Sequence, residues 1–198
     1  MIDVRRGAER AVGTQPGIVT RHSFAAGGRH DPANTRFGSL VAHDEHVVQP
    51  GAGFAAHRHR GLDIVTWVLH GTLLHEDPAG GRCIVRHGTF AHLAAGPGIE
   101  HAERNGGEDE LRFVQMWFLG EAAEPAYRLG EPRIDGVRVR HTSGETDLPA
   151  APHTHVYVVA GSTALGGTVL RPGDTARVSD EAVRLSGSAE TLVCVLSA

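Results

Sequence analysis

The chain has 198 residues and 40% hydrophobic content, enough for one large domain or two small ones with cores of their own. Its 19 basic and 23 acidic residues leave a formal charge of −4, and every basic one is arginine. That excludes a lysine Schiff base and a P-loop lysine, and it gives no electrostatic footprint for direct nucleic-acid binding. No run approaches the roughly 20 apolar residues that span a bilayer. Met1-Ile2-Asp3-Val4-Arg5-Arg6 leads into Gly7-Ala8-Glu9 rather than an apolar stretch, so a cytoplasmic protein with no membrane segment is expected.

Cys83 and Cys194 are the only cysteines, far apart and in no CxxC arrangement, and both are expected to be reduced, apolar-packed thiols. The composition departs from the ordinary in its 14 histidines and 26 glycines beside only 5% aromatic residues. Histidine chemistry is therefore the feature to follow along the chain.

In chain order, the first chemical signal is Gly51-Ala52-Gly53-Phe54-Ala55-Ala56-His57-Arg58-His59-Arg60-Gly61-Leu62-Asp63. In an extended chain His57 and His59 point the same way, with Cα atoms about 6–7 Å apart. Two such side chains can converge on one ion through bonds of about 2.0–2.1 Å. Asp63 shares their parity, so an unbroken strand points it inward as well, as a residue behind the ligands or beside a substrate.

Residues 64–69, 111–118 and 156–159 are β-branched or aromatic runs that end at turn residues, and they read as strands. Glycine and proline punctuate the chain about every ten residues, from Gly71 through Pro78-Ala79-Gly80-Gly81, Gly88 and Gly96-Pro97-Gly98 to Pro172-Gly173. Little room is left for long helices, and an antiparallel sandwich or barrel is the fold class. Trp67, Phe90, Phe113, Met116 and Trp117 read as core, some of them walling a cavity. His75 and His92 could line the pocket, but each reads more simply as a strand or turn histidine satisfied by backbone groups.

After the turn at residues 95–98 come His101-Ala102-Glu103, a second pair two apart. Two strands facing one another inside a barrel supply three imidazoles and one carboxylate. Residues 120–136, rich in Ala, Glu and Pro, have weak strand character and read as a linker or short helical turn. The domain boundary is placed there, giving residues 1–125 and 126–198. His153-Thr154-His155 repeats the His-x-His pattern with no later His or Glu to complete it, and reads as a solvated or capping feature.

At Gly51, His57-x-His59, the following acidic residue, Gly71, Gly88, the 96–98 turn, His101 and Asn105, the sequence resembles the cupin superfamily. The fuller pattern is similar to the pirin family: His57-Arg58-His59-Arg60-Gly61, His75-Glu76-Asp77 with Gly80, then Ala95-Gly96-Pro97-Gly98-Ile99-Glu100-His101-Ala102-Glu103. The likeness covers residues 1 to about 120 and thins beyond Gly130. Arg58 stands where the family commonly has proline, His70 where an acidic residue often precedes the glycine, and Asp63 where glutamate is usual.

The resemblance implies an all-β bicupin, two cupin-type β-barrels or jelly rolls with the C-terminal one shortened, of which the N-terminal one binds one metal. The shortened half is expected to lack a strand pair before His153 and a metal site of its own. The implied ligands are His57, His59, His101 and Glu103. Three neutral imidazoles and a carboxylate leave open positions on a six-coordinate ion. That suits Fe²⁺, and also Mn, Co, Ni or Cu, better than structural Zn.

The activity implied is quercetin 2,3-dioxygenase-like cleavage of a flavonol or similar enol with O2, with Glu103 as the catalytic base. The alternative is a metal- or redox-sensing regulator that acts through protein partners rather than nucleic acid. Either a monomer or a dimer is compatible with the sequence.

Overall fold

The computed structural model describes residues 1–25, 31–78 and 81–197. Ala79 and Gly80 of the expected turn lie outside the described residues. The glycine-punctuated apolar runs form strands throughout: β1 (Ile2–Arg5), β2 (Ala11–Gln15), β3 (Ile18–His22), β4 (Leu40–Val48), β5 (Gly53–His59), β6 (Leu62–His70), β7 (Thr72–Asp77), β8 (Gly81–Arg86), β9 (Phe90–Ala94) and β10 (Ile99–Asn105). They continue with β11 (Leu111–Leu119), β12 (Ala126–Leu129), β13 (Val137–Ser143), β14 (Thr146–Leu148), β15 (His153–Ala160), β16 (Thr163–Leu165), β17 (Thr168–Leu170), β18 (Thr175–Val178), β19 (Val183–Gly187) and β20 (Glu190–Leu196). Helix is confined, among the described residues, to single 3-10 turns at Gly7–Glu9 and Pro32–Asn34.

The strands divide between two compact units, one of Ala11–Pro132 and one of Met1–Arg10 with Arg133–Ala198. In the first, a four-stranded sheet in the order β5-β10-β7-β8 faces a seven-stranded sheet in the order β12-β9-β6-β11-β4-β3-β2. Alternating residues of both sheets fill the space between them. Leu73 and Val85 from the smaller sheet pack with Val68, Ala91, Leu111 and Phe113 from the larger. Ile64, Leu93, Ala95 and Ile99 form a second cluster, with Trp117 and Tyr127 against it.

The second unit repeats the plan with sheets β1-β18-β15-β20-β13 and β14-β19-β16-β17. Its core joins Val156, Val158, Ala176, Val178 and Val193 to Leu148, Leu165, Leu170 and Leu185. Both units are thus double-sheet β-barrels of the cupin kind, joined in one all-β chain.

Four details differ from the sequence expectations. First, the segment taken as a linker contains β12, which pairs with β9, so the first unit runs to Pro132 rather than residue 125. Second, the opening ten residues belong to the second unit, because β1 pairs with β18. Third, that unit does have strands before His153, namely β13, paired with β20, and β14, paired with β19. Fourth, His155 is not solvated: its strand β15 lies inside a five-stranded sheet, and the side chain is fully buried.

Candidate metal centre

The site lies on the inner face of β5, β10 and β7. In the ladder between β10 and β5, His101 stands opposite His57 and Ile99 opposite His59. Directly opposed residues in an antiparallel pair hold their Cβ atoms about 4.5–5.5 Å apart, which brings the imidazoles together. Ring centroids are 4.5 Å apart for His57 and His101, 4.8 Å for His57 and His59, and 5.1 Å for His59 and His101. One nitrogen from each of the three lies within 4.8 Å of the others.

A bulge between His101 and Glu103 shifts the register so that Glu103 stands opposite Phe54. The bulge requires close backbone approach: a Cβ on Gly53 would come within 2.7 Å of the Arg104 Cα. On the other edge of β10, Glu103 stands opposite His75 of β7. His75, His101 and Glu103 make a second trio of donor atoms within 4.8 Å of one another, sharing His101 with the first.

The seven-stranded sheet holds the carboxylate. Gln115 Nε2 on β11 donates to both Glu103 oxygens, at 2.9 and 2.8 Å, and its Oε1 accepts from Trp117 Nε1 at 3.3 Å. The Trp117 ring meets His59 edge-on with centroids 4.8 Å apart.

Burial dominates the electrostatics. It pushes Glu103 up to about 7, against the opposing bond from Gln115. It pulls His101 down to about 3, helped by His57, His75 and His59, and pulls His59 down to about 4, helped by His57. Neutral imidazoles keep their lone pairs for an ion. His57 Nδ1 donates to the Ala55 carbonyl at 2.8 Å, which leaves its Nε2 bare. His101 Nε2 is buried with no hydrogen-bond partner. A nitrogen-rich donor set with an orphaned buried imidazole nitrogen fits a divalent transition metal.

The four residues picked out in the sequence thus share one sheet face. Asp63 does not join them, because Gly61, with φ at +64°, breaks the extended chain and starts β6 in the other sheet. Asp63 instead accepts from His92 Nε2 at 2.7 Å, both side chains being buried. His92 therefore has a buried carboxylate as a partner.

His75 also departs from the backbone-satisfied expectation. It is completely buried, its Nε2 bonds Asp77, and its Nδ1 lies 3.4 Å from His101 Nδ1. Tyr127 of β12 stacks on it, centroids 3.6 Å apart and planes within 5°. The signal for His75 and Asp77 is again two-residue spacing, two strands on from His57 in chain order. Tyr127 and Gln115 carry no comparable signal. Of the cysteines, Cys194 is buried and Cys83 half-buried, and neither forms a disulfide.

The chain has relatives among known proteins. A protein of Mycobacterium tuberculosis whose name assigns it provisionally to quercetin 2,3-dioxygenase is 33% identical over 216 residues, covering 92% of this chain and 88% of its own. The quercetin 2,3-dioxygenase of Escherichia coli K12 is 32% identical over 139 residues, covering 70% of this chain and 60% of its own. The bacterial pirin YhhW of Escherichia coli, solved in complex with nickel(II), superposes with a TM-score of 0.92 at 24% identity. The match covers 100% of this chain and 99% of that one. With the Pirin family model matching residues 5–118, across the strands that carry all four expected ligands, the chain belongs to the pirin family.

Proposed function

We propose that the chain is a metal-dependent oxygenase of the quercetin 2,3-dioxygenase type, with the ion held by His57, His59, His101 and Glu103. The observation that carries the reading is the convergence of the His57, His59 and His101 imidazoles, with His101 also within 4.8 Å of the buried Glu103 carboxylate, whose pKa burial raises to about 7. When bound, the ion supplies a Lewis-acidic point for an enolate oxygen and the route by which O2 adds across the ring and carbon monoxide leaves. Fe²⁺ is the proposed ion, with Mn, Co, Ni, Cu and Zn as the alternatives. The coarser statement, that the site suits a transition metal, has the support of a relative solved with nickel(II).

The chain's own residues do the rest. Glu103, held high in the carboxylate range, takes the proton of a flavonol 3-hydroxyl or similar enol near neutral pH. Gln115 fixes the carboxylate by donating to both of its oxygens. His57 and His59 are only half-buried, so the substrate approaches from their side, while His101 closes the inner side. Trp117 gives an aromatic wall beside His59.

The test is oxygen consumption with quercetin after reconstitution with each of Fe²⁺, Mn, Co, Ni and Cu in separate samples, with His57→Ala as the blank. Metal-dependent uptake with carbon monoxide release supports the reading and names the ion. No uptake by protein that binds a stoichiometric ion overturns it for flavonols.

A further inference from the structure

On the reading that His57, His59, His101 and Glu103 hold an ion, His101 differs from His57 in what its outer nitrogen meets. His57 Nδ1 faces a carbonyl, an obligate acceptor, whereas His101 Nδ1 faces another imidazole nitrogen, His75 Nδ1, at 3.4 Å. Two neutral imidazoles form one hydrogen bond there only if one Nδ1 carries a proton and the other does not.

Asp77 decides between them. Its carboxylate bonds His75 Nε2 with both side chains fully buried. A carboxylate accepts, so the His75 proton sits on Nε2 and its Nδ1 presents a lone pair. His101 then carries its proton on Nδ1, which bares Nε2, the nitrogen that has no partner in the structure. The flat stack of Tyr127 on His75 holds the intermediate ring in the orientation this requires. Ligating histidines depend on such outer partners for ring orientation and tautomer.

We propose that Asp77 and His75 are positioning residues that fix the tautomer of His101, forming a carboxylate–imidazole–imidazole relay that aims the His101 Nε2 lone pair into the metal centre. The relay is built from β7 and delivered to β10 through the Glu103–His75 ladder register.

The experiment reads tautomers in the metal-free protein by imidazole nitrogen NMR, and nickel(II) affinity by calorimetric competition. The expected result is a proton on Nδ1 of His101 and on Nε2 of His75. Asp77→Asn, close to isosteric, should populate the other His101 tautomer and weaken nickel binding roughly 10–100-fold. His75→Phe keeps a ring against Tyr127 and should weaken binding by a similar factor, and exposed His87→Ala should leave it unchanged. If His75→Phe does not fold, Asp77→Asn carries the test alone.

A His101 proton on Nε2 in the unsubstituted protein overturns the relay, as does unchanged nickel affinity in Asp77→Asn. A Zn²⁺-loaded spectrum with a His75 nitrogen bound to the metal also overturns it, by making His75 a ligand. Failure of the underlying site is seen separately: undiminished nickel binding by His57→Ala removes the metal centre, while the metal-free tautomers still report on the relay.

Discussion

His57 and His101 stand directly across the β5–β10 ladder with ring centroids 4.5 Å apart, so a hydrogen-bonded register, rather than a loop, sets the separation of two proposed ligands. Sites on strands are held more tightly than sites on loops. Removing either imidazole should therefore abolish stoichiometric nickel binding, with a loss larger than the ~10–100-fold typical of a residue behind the ligands. Metal analysis of dialysed His57→Ala and His101→Ala checks this, and full occupancy in either variant would refute it.

Glu103 combines a proposed metal contact with a proposed proton-accepting role, and the two separate under a conservative change. Glu103→Gln should keep part of its metal and lose turnover by about 10²–10⁴-fold, the usual contribution of a general base. Turnover on quercetin at equal metal loading is the measurement. Undiminished turnover would remove the base role.

Gln115 bonds both Glu103 oxygens and the Trp117 indole from one buried amide. Gln115→Met keeps most of the volume but strips the carboxylate of its donor. The metal-free variant should unfold about 1–3 kcal/mol more easily, the cost of leaving a buried polar group unpaired. Urea titration of the metal-free protein reads the change, and an unaltered midpoint would mean that Glu103 finds another partner.

Gly53 lies where β5 passes closest to the Arg104 backbone. Gly53→Ala must push the two strands apart beside the bulge, at a cost of about 1–3 kcal/mol. It should weaken nickel binding although it replaces no ligand. Calorimetry that showed unchanged affinity would indicate that the bulge absorbs the methyl group.

His155 is fully buried in β15, and burial, with Arg177 and Arg10 adding to it, holds its pKa down to about 3. Unfolded, it titrates near 6.5. Between these values the unfolded chain binds a proton that the folded one does not. This contribution to stability is therefore intact above about pH 6.5 and falls as pH drops toward 3, by up to about 1.4 kcal/mol per pH unit. His155→Gln should flatten the pH dependence of the urea midpoint between about pH 6.5 and 4. A slope equal to that of the unsubstituted protein would mean that other groups set it.

Spacing made half of the candidate site legible. His-x-His and His-x-Glu are period-two patterns, and strands convert that period directly into a shared face. The same logic misplaced Asp63, because one left-handed glycine at position 61 resets the parity and sends the chain to another sheet. What could not be read is lateral order. Nothing local to β10 says that β5 lies on one edge and β7 on the other, yet that order brings His75 to His101 and Glu103. Tyr127 was hidden for a different reason: four residues in an Ala-, Glu- and Pro-rich stretch form a strand only because β9 offers an edge to pair with.

The first strand has a consequence for how the second unit is made. Arg5 pairs with Thr175, so β1 leaves the ribosome some 170 residues ahead of its partner β18. At ~5–20 residues per second that is a wait of roughly ten to thirty seconds. During it, the strands of the intervening unit, Ala11–Pro132, are all synthesised and find their partners among themselves. The chain's opening residues are thus among the last to find their place. Until they do, β18 presents an unpaired edge, the feature through which sheet proteins pair with other chains. An extension or deletion ahead of Arg10 is therefore expected to act on solubility during synthesis before it acts on the chemistry of the other unit.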